Sequence, residues 1–171
     1  MNRKSLREQI FKLLFRTEFN YFSEMDDQVR FFFESGDMTV SEKDQKHIAD
    51  KCRAVVDKIP EIDDLLNEKL DGWTVDRLPK VELAILRLGT YEILYDESVP
   101  TGVAINEAVE LGKKFGEDGS GAFINGVLAG VSGKEKSRKS VSAKEGAANR
   151  RTPSDSSISE RKGDTYITRR I

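Results

Sequence analysis

The stretch Val81–Tyr95, VELAILRLGTYEILY, constrains this chain more than any other. Val81, Ala84, Ile85, Leu88, Tyr91 and Tyr95 recur at helical spacing, and Leu83, Leu86, Ile93 and Leu94 do so on another side. A helix that is apolar nearly all round must be wrapped by other helices. The spacing therefore predicts the central helix of an all-α protein. Pro79 stands just before it, where a missing N–H costs nothing. Glu82, Arg87 and Glu92 must then be paired or lie at an edge, because an ionised side chain is costly to bury alone.

The elements around this helix follow from the same periodicity. Residues 1–20 read as an amphipathic helix with Leu6, Ile10, Leu13 and Leu14 as its stripe, widened by Phe11 and Phe15. Arg3 and Arg7 fall on the side of Leu14, one to three turns earlier. The first turns are expected to overhang the core and to leave Arg3, Lys4 and Arg7 in solvent. Basic residues at a helix N-terminus oppose the macrodipole, which favours a functional use for them. Met25–Ser35 predicts a second helix with Val29, Phe32 and Phe33 inward, stopped by Gly36 and Asp37. Ser41 with Asp44 resembles a capping box, opening a helix that runs to about Ile59. Cys52 lies on the core face of that helix and His47 does not, so the two are not read as a catalytic or metal pair. Pro60 opens a short helix ending near Leu70, and Asp71-Gly72 breaks it. Trp73 is read as a core plug at the junction of two bundles. Gly102–Phe115 and Ala122–Val131 predict the last two helices, with Phe123 at the edge of the buried face.

Charge divides the chain. Residues 134–171 hold 11 Lys and Arg against 5 Asp and Glu, whereas the remainder holds 17 against 25. An acidic body thus carries a basic tail, whose Ser-, Lys- and Gly-rich composition cannot bury enough apolar surface to offset ordering, so disorder is expected. An acidic body repels nucleic acid on average, so any such role needs a local basic patch. The single cysteine excludes an internal disulfide and suits a reducing compartment. No apolar run approaches the ~20 residues of a membrane span, and basic residues interrupt any signal-peptide core. The cytoplasm is the expected location. The sequence has no phosphate-cradling glycine loop, GxSxG, HExxH or repeated CxxC. One His and one Cys in an all-α chain point to a binding module and not an enzyme, with no cofactor and no metal.

Several motifs go further than periodicity. REQIFKLLF at Arg7–Phe15, the run VELAILRLGTYEI from Val81, VP at Val99-Pro100, VAINEAVELGKKFG from Val103 and FINGVL at Phe123–Leu128 together resemble the NusB family. The resemblance spans about residues 3–131. It implies an all-α body of two packed helical bundles, about residues 1–72 and 73–133, followed by the basic tail at 134–171. It also implies an RNA-binding transcription antitermination factor. Such a factor pairs with NusE, a small-subunit ribosomal protein, binds boxA-type single-stranded RNA, and acts in the transcription elongation complex on ribosomal RNA operons.

Carried over by position, the family's basic first helix matches Arg3, Lys4 and Arg7, and its RNA-contacting aromatic matches Phe123. The surface facing NusE matches Phe15, Asp76 and Glu82. Specific recognition of single strands uses bases stacked on aromatic rings and phosphates held by Arg and Lys. A helix end bearing Arg3, Lys4 and Arg7 beside an edge Phe123 is expected to supply both. Gly112 stands where the family commonly has Ala, at a helix cost of about 1 kcal/mol. Two other arrangements compete. One is the RNA-binding portion of a ribosomal-RNA cytosine methyltransferase, to which the same module is fused elsewhere. The other is an adaptor without RNA binding, a homodimer that hides the basic helix.

Overall fold

The computed structural model describes residues 1–19 and 24–133. Residues 134–171, where the composition predicts a disordered basic tail, lie outside the described residues. Among the described residues the chain is helical, with no strand. The helices are α1 (Arg3–Thr17), α2 (Met25–Glu34), α3 (Glu42–Asp57), α4 (Ile59–Lys69), α5 (Lys80–Tyr95) and α6 (Thr101–Phe115), with a 3-10 turn at Val75–Arg77. Residues 120–133 form α7. No described helix is long and apolar enough to cross a membrane.

Local chemistry sets several of these boundaries. Asn2 caps α1 by accepting the Ser5 N–H at 2.8 Å. Ser41 caps α3 by accepting the Asp44 N–H at 3.2 Å. The Asp44 carboxylate also binds the Met1 ammonium at 2.9 Å, which ties the start of α1 to the start of α3. Pro60 occupies the first turn of α4, the position where its fixed φ and missing N–H are harmless.

α5 is the axis. It packs against α1, α3, α4 and α6, and Leu83, Ala84, Ile85, Leu86, Leu88 and Ile93 are all buried. One hydrophobic cluster extends from Ile10 on α1 to Val131 on α7. Each of the three charges predicted to need a partner has one. Arg87 forms a two-pronged pair with Asp63 at 2.9 and 2.7 Å and also meets Glu18. Glu82 and Glu92 are described below. Cys52 is fully buried, and burial pushes its thiol pKa up to about 12. That makes it a packing residue and not a nucleophile.

Two glycines let α7 close on its neighbours. A Cβ on Gly89 of α5 would stand 2.8 Å from Leu128 Cδ1. On Gly112 of α6 it would stand 2.6 Å from Ile124 Cδ1 and 3.5 Å from the Gly121 backbone. Gly112 therefore offsets its poor helix propensity by letting α6 and α7 touch. Trp73 departs from expectation, being 53% exposed and not a core plug. Val75 and Leu78 of the adjoining turn fill the junction instead, each 5% exposed, and Asn67 Oδ1 accepts the Val75 N–H at 2.9 Å.

Candidate nucleic-acid and partner interface

The first turn of α1 does not stand free of the core. Arg3 and Lys4 are exposed as expected, but Arg7 is only 8% exposed. Its Nε donates to both Glu92 carboxylate oxygens at 2.9 and 3.2 Å, and its Nη2 donates to Oε2 at 2.8 Å. Nη1 lies 3.8 Å from Glu107. The expectation of a solvated Arg7 is thus corrected. α1 and α5 run antiparallel, with Arg7 against Glu92 at one end and Glu18 3.4 Å from Lys80 at the other. The C-terminal end of α5 therefore reaches the first turns of α1. Burial works against the charge of Arg7, but the hydrogen bonds and field of Glu92, reinforced by Glu107 and Asp96, outweigh it and raise its pKa. Lys51 of α3 completes the cluster, 3.5 Å from Glu92 and 3.0 Å from Asp96.

Phe123 lies elsewhere. It is half-buried, packs on the core, and lines an open groove with Trp73, Leu78, Pro79, Glu82 and Asp118. This groove is at the N-terminal end of α5, whereas Arg7 pairs near its C-terminal end. Glu82 and Glu92 are separated by about 15 Å of helix. The structure does not bring Phe123 beside Arg3, Lys4 and Arg7, and that expectation is corrected too. Helical periodicity assigned Phe123 to the edge of a face but carried no information on which end of α5 that edge met.

The acidic pair divides as well. Asp76 is exposed on the 3-10 turn. Glu82 is only 6% exposed and accepts a hydrogen bond from Ser120 Oγ at 2.6 Å. It is a structural anchor between α5 and the start of α7 rather than an open surface charge, because it follows Pro79 into the wrapped helix. Phe15 is half-buried, its ring 6.3 Å from Phe11 and 5.2 Å from Phe19 in an edge-on arrangement. Phe19 is 64% exposed and extends this aromatic row into solvent. Sequence reasoning missed Phe19 and Trp73 as surface aromatics. Phe19 lies beyond the periodic stripe, and Trp73 reads as core by its size alone.

Between the two ends lies a third group. Phe115 packs at a tilt against Phe11, with ring centroids 5.1 Å apart. Lys12 Nζ and Lys114 Nζ stand over the Phe115 ring at 5.6 and 5.3 Å from its centroid. Glu8 binds both ammonium groups, Lys12 at 3.2 Å and Lys114 at 2.8 Å. The Lys114 hydrogen bond holds the Glu8 carboxyl below its usual range, against the opposing effect of burial, with Lys12 adding to the same direction. The Glu8–Lys12 spacing is readable on a helix, but Lys114 comes from α6 and no local pattern reveals it.

Comparison with known proteins bears on this arrangement. A family model described as the NusB family matches residues 4–133. A transcription antitermination protein NusB from Agathobacter rectalis is 46% identical over 130 residues, covering 75% of this chain and 98% of that protein. One from Lachnoclostridium phytofermentans is 43% identical, covering 77% and 98% respectively. Among solved structures, the NusB of T. maritima aligns with a TM-score of 0.67 at 33% identity, covering 77% of this chain and 91% of that one. A complex of the antitermination factors NusB and NusE with double-stranded RNA contains a chain that aligns with a TM-score of 0.66 at 27% identity, covering 77% and 96%.

Proposed function

The chain belongs to the NusB family, and on that premise we propose that it is an RNA-binding transcription antitermination factor. It pairs with a NusE-type ribosomal protein, binds boxA-type single-stranded RNA, and acts with the transcription elongation complex on ribosomal RNA operons. It works in the cytoplasm as a binding protein without catalysis. The observation that carries this reading is the match of 46% identity across 98% of a named antitermination protein.

Within it, exposed Arg3 and Lys4 hold phosphates, while Arg7 holds the α1 turn that presents them. Phe123 stacks a base at the far groove. Asp76 and the Phe15–Phe19 row face the ribosomal protein, and Glu82 supports that region from beneath. The folded body acts as two bundles, about 1–72 and 73–133, built on one axis helix.

Titration of the full chain with boxA-type single strands tests this, with and without the ribosomal protein and against scrambled and double-stranded RNA. Binding should depend on sequence and tighten when the partner is present. Arg3→Ala or Lys4→Ala should weaken all RNAs alike and lower the salt slope by roughly 0.7 for each phosphate released. Asp76→Lys should weaken the partner and leave the fold intact. Affinity indifferent to both RNA sequence and partner would sink the reading.

A further inference from the structure

We propose that Lys12 of α1 and Lys114 of α6 form a two-lysine clamp for a backbone phosphate of bound RNA, with Phe115 as its floor and Glu8 as its resting occupant. The inference rests on the RNA-binding reading above and fills the gap that the structure exposes in it. Arg3 and Lys4 lie toward one end of α5, and Phe123 toward the other. A strand touching both must cross the surface between them, and this is where the pair stands. Lys12 is five residues beyond Arg7 on α1, about 7.5 Å along the helix. On the other side, Phe115 is followed by Gly116, which packs on Ser120, three residues before Phe123.

Three observations favour phosphate over a purely structural pair. Both lysines remain accessible, with side chains 42% and 58% exposed. Both ammonium groups are held over one aromatic ring, so their long side chains are already ordered before a ligand arrives, which lowers the cost of binding. Glu8 places a carboxylate between them, which occupies the position an anion would take. The Phe115 ring is covered by Phe11 and by the lysines. With three groups already against this ring, the site is assigned to the RNA backbone and not to a stacked base.

The test compares full-length variants by RNA affinity across a salt series, with melting temperature measured on the same samples. Lys12→Gln with Lys114→Gln should reduce the salt slope by about 0.7, the value for one single-strand phosphate, without changing sequence preference. Glu8→Gln makes the sharper prediction. It removes two ion pairs yet should tighten RNA binding and steepen the salt slope, because the lysines no longer have a competitor. A structural role predicts lower melting temperature and no gain in affinity. An unchanged slope in the double variant, or weaker binding by Glu8→Gln, overturns the clamp. If Arg3→Ala still weakens RNA while the lysine pair has no effect, the clamp alone falls. If the unaltered chain binds no RNA, both readings fall.

Discussion

Arg7 shows how one side chain can be legible in position and misread in role. Its placement on the Leu14 side of α1 was visible in the sequence. What was not visible was that Glu92, from a helix far along the chain, would be there to meet it. Breaking a buried pair leaves the partner charge uncompensated and typically costs about 3–5 kcal/mol. Arg7→Ala should fall near the lower end, about 3 kcal/mol, because Lys51 still approaches Glu92 at 3.5 Å. Chemical denaturation measures this directly. On the folded fraction, the salt dependence of RNA binding should change less than it does for Arg3→Ala. An Arg7→Ala protein of normal stability with a large loss of salt slope would restore Arg7 as a direct phosphate contact.

At the scale of elements, periodicity and end signals placed the helices well. The Val81–Tyr95 expectation meets Lys80–Tyr95, and Gly102–Phe115 meets Thr101–Phe115. These succeed because apolar periodicity, a Pro just before each first turn and, for α6, a Gly just beyond the last are local causes. How closely two helices approach is not local, and Gly112 illustrates the difference. Viewed on its helix alone, Gly112→Ala gains about 1 kcal/mol of propensity. Viewed against α7, the new methyl meets Ile124 Cδ1 at 2.6 Å, and Ile124 is fully buried with little room to yield. Overpacking of this kind costs about 1–3 kcal/mol. The variant should therefore be less stable, by about 1 kcal/mol net. Ile124→Val removes the clashing methyl and alone costs roughly 0.5–1.5 kcal/mol. Together the two changes should cost less than their sum. Additive melting-temperature losses would show that Gly112 is not a contact point.

Across the whole molecule, ion pairs join segments far apart in sequence: Arg7 with Glu92, Lys51 with Asp96, and Lys114 with Glu8. Composition reported only an acidic body, and gave no sign that these carboxylates are committed to partners. Their commitment predicts a direction for acid stability. For Glu8, the Lys114 hydrogen bond holds the pKa below its ordinary 4.5 against burial. For Asp96, burial pushes upward, but Ser98 and Lys51 prevail and lower it from 3.8. A carboxylate with a depressed folded pKa binds fewer protons folded than unfolded. Its contribution is complete above the unfolded value and is lost as pH falls through the folded one. Relief of repulsion in the acidic body, with 17 basic against 25 acidic residues, acts the other way as pH falls from neutrality. That repulsion is long-range, however, and salt near 0.15 M screens it beyond about 8 Å. In such salt the urea midpoint should stay nearly level down to about pH 5 and then fall below pH 4.5. Asp96→Asn should start from a lower midpoint at neutral pH and fall less steeply in acid, because one of the titrating groups is gone. A midpoint that rises below pH 4 would mean that these pairs do not hold the helices together.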